Sequence, residues 1–232
     1  MSEIGGPGEG SERGHARAAR IITESSYRSA ALWVGPCALV TAMLVAEFLG
    51  DWARTWLAFD RAAIADGQWW RLLTGNFAHL GWYHWMLNAL GVLVLVLLCP
   101  QPLSLWIWLR RVALIGIGMS LCLWWFVPGL VHYVGMSGVI HGLFLLGLAP
   151  QVRRGDLIAL GCLLYLLGKI GWELYAGAPL SDEAAIGGRV VVESHLFGTL
   201  SAAVYGAVFG SFGGREGRRH EAAPSSIPND DE

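Results

Sequence analysis

Long apolar segments are the feature that most constrains this chain, because most of them approach the length that crosses a lipid bilayer. Six follow one another, at about 30–49, 82–99, 112–130, 137–150, 156–176 and 190–211. A helix needs ~20 apolar residues to cross ~30 Å of hydrocarbon, where the backbone must satisfy its own hydrogen bonds. Only 15% of the residues are charged, against roughly a quarter in soluble domains. The sequence predicts an all-α membrane protein, a six-transmembrane-helix bundle in one domain.

Arginines are distributed unevenly over the segments that connect these spans. They cluster before the first span, between the second and third, between the fourth and fifth, and after the sixth: Arg13, Arg17, Arg20, Arg28, Arg110, Arg111, Arg153, Arg154, Arg215, Arg218 and Arg219. These connections lie on one side of a six-span topology, and cytoplasmic segments carry the excess of Lys and Arg. We expect a multi-pass protein of the inner (plasma) membrane with both termini in the cytoplasm.

The two ends of the chain are polar. Residues 1–29 are rich in glycine and lack the apolar core of a signal peptide, and residues 212–232 begin basic and end acidic. We expect disordered cytoplasmic tails at 1–29 and 212–232, flanking a membrane domain at 30–211. The cysteines lie in or at the ends of apolar spans without metal-ligand spacing, so we expect no disulfide and no metal site.

A long segment, 50–81, connects the first two spans and is rich in tryptophan. Trp52, Trp56, Trp69 and Trp70 all lie in it. Long loops in compact domains usually have a function, and indole rings favour the membrane–water interface. The pattern predicts a partly helical hairpin in the outer leaflet, and the alternative is a simple interfacial anchor.

Ser137 begins the fourth apolar segment, within Gly135-Met136-Ser137-Gly138. Only ~14 helical residues, or ~21 Å, separate it from Arg153 and Arg154, whereas the hydrocarbon core is ~30 Å thick. With the arginines at the cytoplasmic surface, Ser137 lies ~10 Å below the outer surface. Irregular backbone at that depth requires a cavity open to water. A helix N-terminus also favours developing negative charge.

Histidine and asparagine side chains occur in other apolar spans. Ser194-His195 opens the last span, and His84 and Asn88 share one helix face because they are four residues apart. An imidazole can take the proton of a serine hydroxyl, and two donors aimed at one point can stabilise an oxyanion. Polar groups inside a membrane usually mark function. The pattern indicates a protease that works within the bilayer.

In order and spacing, these residues resemble the rhomboid intramembrane serine proteases. The resemblance covers about residues 60–210 and rests on Trp70-Arg71, His79, His84-x-x-x-Asn88, Gly135-x-Ser137-Gly138 and His195-x-x-Gly198. It implies a catalytic Ser137–His195 dyad without a third, acidic member. It also implies an oxyanion hole made by His84, Asn88 and the backbone amide of Ser137.

The same resemblance implies supporting roles for other residues. Trp70 and Arg71 would belong to a structured outer loop, and His79 is a structural loop residue rather than a catalyst. Gly198 would let the sixth helix pack against the fourth. Together with Gly135 and Gly138, it would bring the backbone close to its neighbours.

One departure from the common rhomboid pattern narrows the resemblance. Many rhomboids place a tyrosine four residues after the nucleophile, where this chain has His141. The run Gly-x-Ser-Gly-x-x-His-Gly at 135–142, with Glu193 two residues before His195, resembles the rhombosortase branch. That resemblance implies membrane-anchored substrates cut near a C-terminal Gly-Gly transmembrane tail. We expect no metal, nucleotide or organic cofactor, and no partner besides such substrates and the lipid bilayer, in particular no nucleic acid.

Four further residues lie near the presumed site and are interpreted separately. His141 either orients the catalytic imidazole or contacts substrate, or it only fills the space of an aromatic ring. Glu193 lies about 200° around the helix from His195, so we place it at the outer mouth. The Lys169/Glu173 pair either lines a cavity or snorkels toward the outer surface, and snorkelling is the interpretation we favour.

Two other functions compete with intramembrane proteolysis. A non-catalytic rhomboid-like protein would use the same scaffold to bind membrane segments, but all the catalytic residue types are present here. A transporter is the weaker alternative, because no span pairs discontinuous halves as inverted repeats do.

Overall fold

The computed structural model describes residues 30–213 and Glu216, so the predicted tail 1–29 and nearly all of the tail 212–232 lie outside the described residues. Helices dominate the described part. In chain order the elements are α1 (Ala30–Phe48), α2 (Asp51–Leu57), β1 (Phe59–Asp60), α3 (Arg61–Ala65), α4 (Arg71–Thr74), α5 (Trp82–Leu98), α6 (Leu105–Phe126), β2 (His132–Tyr133), α7 (Ser137–Val152), α8 (Leu157–Ala176), α9 (Glu183–Ile186), α10 (Glu193–Phe209) and a 3-10 turn (Ser211–Gly213).

Three of these helices, α1, α6 and α8, are long and apolar enough to cross a membrane. Helices α5 and α7 are apolar but shorter, and α10 has 17 residues. The apolar helices support a membrane protein, and the count of six spans stays a prediction. Each predicted span except the third coincides with a helix to within a few residues.

The third span begins earlier than the sequence indicated, because α6 includes the arginines that were assigned to a connection. The prediction was 112–130, whereas α6 runs from Leu105 to Phe126. Glu216, from the segment predicted to be a tail, is buried and binds both arginines. Its carboxylate oxygens lie 2.6 Å from Arg110 Nη2 and 2.8 Å from Arg111 Nη2. A buried carboxylate therefore compensates the charges that the prediction had placed in a polar connection.

Pro150 lies inside α7, and the helix continues to Val152, two residues beyond the predicted span 137–150. Proline has no backbone N–H, so it leaves the carbonyl four residues earlier without its helical partner. That carbonyl belongs to Leu146, and the side-chain amide of Gln101 donates to it at 3.3 Å. The connection before α6 thus replaces the hydrogen bond that the proline removes.

A small strand pair departs from the all-α prediction. Strands β1 and β2 are antiparallel, with Phe59 opposite Tyr133 and Asp60 opposite His132. This pairing ties the outer segment 50–81 to the chain just before Ser137. The outer segment itself contains three short helices, α2, α3 and α4, and the hairpin's position in a bilayer stays a prediction.

Arg61 holds the outer segment against the end of α6. Its guanidinium donates to four carbonyl oxygens at the end of α6 and just beyond it, at 2.7–3.2 Å: Leu123, Trp124, Val127 and Leu130. Carbonyls at a helix C-terminus lack intrahelical partners, so a cation there satisfies them. The outer segment is therefore an ordered part of the molecule.

Helix α7 occupies the middle of the fold and packs against α5, α6, α8 and α10. Its buried side chains belong to the main core cluster, with Met43 and Ile115 among the other members. Because the start of α10 and the end of α8 both lie against the start of α7, residues from three helices meet there. That end of the bundle carries Ser137, His195 and Glu173.

Candidate active site

Ser137 is the first residue of α7, as the sequence predicted, and a sharp backbone turn precedes it. Gly135 has φ +124°, a conformation that residues with a Cβ rarely adopt. A Cβ there would also lie 2.7 Å from Cε1 of His84. The hydroxyl of Tyr133 donates to the Gly135 carbonyl at 2.7 Å and fixes the turn. The turn therefore needs glycine for two reasons: its positive φ, and the close approach of the His84 ring.

His195 is the third residue of α10 and reaches the serine. Its Nε2 lies 3.1 Å from Ser137 Oγ, within hydrogen-bonding distance. The two helices can approach this closely because glycines line their contact. A Cβ on Gly198 would overlap the carbonyl of Gly138, and one on Gly142 would lie 2.6 Å from the Gly198 carbonyl oxygen. The predicted packing role of Gly198 and Gly138 matches this geometry.

Glu173, in the last turn of α8, approaches the other side of His195. Its Oε2 lies 2.8 Å from His195 Nδ1, and its side chain is only 1% exposed. Its Oε1 accepts from Lys169 Nζ at 2.7 Å. A carboxylate therefore lies in contact with His195, although the resemblance implied a catalytic dyad without a third, acidic member. The interpretation that the Lys169/Glu173 pair snorkels outward is wrong, because Glu173 is buried and bonded to both His195 and Lys169.

His141 stacks on the ring of His195, with centroids 4.1 Å apart and planes 14° from parallel. Its Nδ1 lies 2.7 Å from the Ser137 carbonyl oxygen, and its Nε2 lies 3.2 Å from Lys169 Nζ. An ammonium group has no acceptor, so Nε2 accepts from Lys169 and Nδ1–H donates to the carbonyl. His141 thus makes specific hydrogen bonds as well as filling the place of an aromatic ring.

The residues proposed for the oxyanion hole, His84 and Asn88, lie on successive turns of α5 and are both buried. The backbone N–H of Leu80 donates to His84 Nδ1 at 3.3 Å, which leaves Nε2 as the donor of a neutral ring. Asn88 Nδ2 donates to the His84 carbonyl at 2.9 Å, and its second amide hydrogen is available to another acceptor. Both side chains can therefore donate near Ser137.

Two cavities adjoin at Ser137, which lines both. The outer cavity has a volume of about 230 Å³, and His84, Tyr133 and Ser194 also line it. The second is an apolar groove of about 690 Å³ between α5, α7 and α8. Asn88, His141 and Lys169 line the groove at the level of the serine, and Leu148 lines it about three turns of α7 further along.

Trp70 and Arg71 belong to the structured outer segment, as the sequence analysis expected. Buried Arg71 donates to Gln68 Oε1 and to the carbonyls of Ala58 and Thr55, at 2.8–2.9 Å. Half-exposed Trp70 donates its indole N–H to the Trp56 carbonyl at 3.3 Å. Neither side chain is among those that line the two cavities at Ser137.

His79 is buried, and its ring lies edge-on to that of His84 with centroids 5.0 Å apart. Burial, and then the neighbouring His84, lower the pKa of His79 to about 3, so this ring is neutral at physiological pH. It contacts the oxyanion candidate rather than the serine, which agrees with a structural role. Glu193 lies in the first turn of α10, partly buried, and accepts no side-chain hydrogen bond from another described residue.

Sequence reasoning placed Ser137, His195, His84 and Asn88 together, and they do meet at one end of the bundle. It paired Glu173 with Lys169 but missed the contact between Glu173 and His195. The available signal was topological: α8 runs opposite to α7, so a carboxylate near its end lies level with Ser137. Within the described part of the chain, no group of three His, Cys, Asp or Glu side chains is arranged to hold a metal ion.

Comparison with known proteins identifies the family. A family model described as Rhomboid domain matches residues 66–212, which is more than half of the chain. No curated protein matches the chain. The matched region contains the serine, both stacked histidines and the oxyanion candidates. The chain therefore belongs to the rhomboid family of intramembrane serine proteases.

Proposed function

We propose that this protein is an intramembrane serine endopeptidase in which Ser137 is the nucleophile and His195 the general base. The observation that carries the proposal is the distance of 3.1 Å between Ser137 Oγ and His195 Nε2, at the junction of two cavities. A serine hydroxyl is a weak nucleophile until a neighbouring base accepts its proton. The family membership supports the same chemistry.

The reaction begins when a substrate peptide carbonyl lies beside Ser137. Ser137 Oγ attacks the carbonyl carbon while its proton passes to His195, and the carbonyl oxygen becomes an oxyanion. His84 Nε2–H, the Asn88 amide and the Ser137 backbone N–H stabilise that charge. His195 then returns the proton to the leaving amine, and water from the outer cavity hydrolyses the acyl-enzyme.

The groove supports an apolar transmembrane segment as the substrate class. It follows α7 from the level of Ser137 to that of Leu148, and most of its lining residues are apolar. A peptide bond at the serine could then be followed by an apolar stretch along the groove. Helical segments must unwind to be cut, and glycine makes unwinding easier by ~1 kcal/mol relative to alanine.

A finer assignment of the substrate rests on His141 and Glu193, the positions at which the sequence resembles the rhombosortase branch. We infer substrates that are secreted proteins held by a C-terminal transmembrane tail and cut near a Gly-Gly pair. The arginine distribution supports a multi-pass protein of the inner membrane with cytoplasmic termini and a site that opens outward. The partners would be such membrane-anchored substrates within the bilayer.

A reporter experiment tests the substrate class. The reporter is an exported protein that ends in Gly-Gly, an apolar span and a short basic tail, and its matched control carries Val-Val instead. We expect wild-type protein to release the first reporter, with a new C-terminus near the glycines, and Ser137→Ala to release neither. Equal cleavage of both reporters would refute the Gly-Gly preference, and a fluorophosphonate probe that never labels the wild type would refute the protease.

A further inference from the structure

The side chains around His195 form a closed ring of hydrogen bonds that includes more than a serine and a histidine. Starting at the serine, the members are Ser137, His195, Glu173, Lys169 and His141, and the last donates back to the Ser137 carbonyl. The ring joins the start of α7 and of α10 to the end of α8. All of its links are between 2.7 and 3.2 Å.

We propose that Glu173 is a positioning residue that acts through His195, and that Ser137, His195 and Glu173 work as one hydrogen-bonded triad. The inference rests on the proposed protease function and deepens it. A carboxylate has no hydrogen to donate, so a bond between Glu173 Oε2 and His195 Nδ1 requires the proton on Nδ1. Nε2 is then left as an acceptor, directed at the hydroxyl that must lose its proton.

The same contact stabilises His195 after proton transfer. When Nε2 takes the proton of Ser137, the ring becomes a cation in a buried site, where an unpaired charge is costly. Glu173 supplies the opposite charge at 2.8 Å, in place before the reaction begins. Pre-arranged charges of this kind stabilise the transition state without reorganisation.

Glu173 itself is held in one orientation by its other oxygen. Oε1 accepts from Lys169 Nζ at 2.7 Å and from the backbone N–H of Leu180 at 3.2 Å. Both carboxylate oxygens are therefore bonded, and the side chain is almost completely buried. Lys169 also bonds the ring of His141, which stacks on one face of the His195 ring.

Two roles for Glu173 have to be distinguished. It could position His195, as proposed, or it could only neutralise the charge of Lys169 inside the apolar bundle. A variant with a neutral amide in place of the carboxylate distinguishes these two roles. In Glu173→Gln the amide NH₂ can turn toward Nδ1, which makes Nδ1 an acceptor and moves the ring proton to Nε2, the wrong tautomer for accepting from Ser137.

The test measures the rate at which a fluorophosphonate probe labels Ser137 in purified full-length protein, and kcat and KM on a transmembrane substrate. We expect Glu173→Gln to lower the labelling rate and kcat on the order of 10³–10⁴-fold with little change in KM. Glu173→Asp should recover part of that loss. Glu47→Gln, which changes another buried glutamate on a membrane-length helix, serves as the matched control and should label at the wild-type rate.

The double variant Lys169→Met/Glu173→Gln removes the ion pair as a whole. If Glu173 only neutralised Lys169, this variant would recover activity, and that result would overturn the proposal. We expect it to stay as slow as Glu173→Gln. Normal labelling of a folded Glu173→Gln protein would also overturn the proposal, while leaving Ser137 and His195 as a working protease.

An NMR measurement on the wild type tests the pairing without changing Glu173. With ¹⁵N-labelled histidine, the proposal predicts a strongly deshielded proton on His195 Nδ1, assigned by its loss in His195→Ala. A resting ring that carries its proton on Nε2 would refute the role of Glu173. If the probe failed to label wild-type protein, the protease assignment would fall, yet this spectrum would still decide between the two tautomers.

Discussion

Gly198 of α10 lies directly against the backbone of Gly138 in α7. A Cβ on Gly198 would overlap the Gly138 carbonyl, and a Cβ on Gly138 would lie 2.6 Å from the Ser194 carbonyl oxygen. Close backbone approach is how small residues serve helix packing in membranes. Because Ser137 and His195 lie beside these glycines, the helix contact sets the distance between nucleophile and base.

Gly198→Ala should therefore impair stability and activity together. The added methyl meets backbone rather than a flexible side chain, so the helices must separate, at a cost of about 1–3 kcal/mol. Thermal unfolding in detergent should show a lower midpoint, and fluorophosphonate labelling should slow. The matched control is Gly168→Ala on α8, where no atom beyond its chain neighbours and the adjoining helix backbone lies within 4 Å of the added Cβ, so both measurements should stay near wild type. A wild-type labelling rate in Gly198→Ala would contradict this account of the contact.

Ser137→Ala and His195→Ala should each abolish cleavage of a transmembrane substrate. The first removes the nucleophile and the second removes the base that accepts its proton. Membrane insertion and expression should be unchanged, as judged by membrane fractionation. Ser201→Ala, on the same helix as His195, is the control and should cleave normally. Normal turnover by purified Ser137→Ala protein would reject the nucleophile assignment.

Asn88→Ala should lower kcat with little effect on KM. The amide would donate to an oxyanion that exists only after attack, and loss of one such donor costs about 10²–10³-fold in rate. Steady-state kinetics on a fluorogenic transmembrane peptide measures both constants. Met86→Ala, a half-exposed position on the same helix, should leave both constants unchanged. An unchanged kcat in Asn88→Ala would remove Asn88 from the oxyanion hole.

The residues that the sequence could place were those whose position follows from local pattern. Ser137 was expected at a helix start because an apolar segment begins there, and α7 does begin at that residue. His84 and Asn88 were expected on one face because helical geometry puts residues four apart together. Such inferences need only the period of a helix and the length of a span.

The contacts that the sequence could not supply join residues far apart in the chain. Glu173 and His195 meet across 22 positions, and Arg111 and Glu216 across 105. A charged residue in an apolar span can snorkel, line a cavity or bind a distant partner, and only the packing of helices decides which. The start of α6 was misplaced for this reason, since the sequence near Arg110 and Arg111 does not reveal their carboxylate.

Glu216→Gln should destabilise the protein measurably. Its carboxylate faces two guanidinium groups and accepts hydrogen bonds from Tyr205 and Ser211. Removing one partner of a buried ion pair leaves an uncompensated charge, which costs about 3–5 kcal/mol. Thermal or denaturant unfolding in detergent would measure the loss. Asp66→Asn, an exposed acid in the outer segment, is the control that should not change stability.

The same carboxylate should make part of the free energy of unfolding depend on pH. Burial by itself raises the pKa of Glu216, but the charge of Arg111 and the hydrogen bonds from Ser211 and Tyr205 outweigh it and bring the pKa to about 2, against 4.5 for an ordinary glutamate. A carboxylate with a depressed pKa contributes stability that is complete above its unfolded pKa and disappears as the pH falls through its folded pKa. The difference in unfolding free energy between wild type and Glu216→Gln should therefore be constant near neutral pH and shrink between about pH 4.5 and pH 2. Measuring both proteins at each pH cancels the titration of the other carboxylates, so a difference that stayed constant down to pH 2 would show that Glu216 is not paired as described.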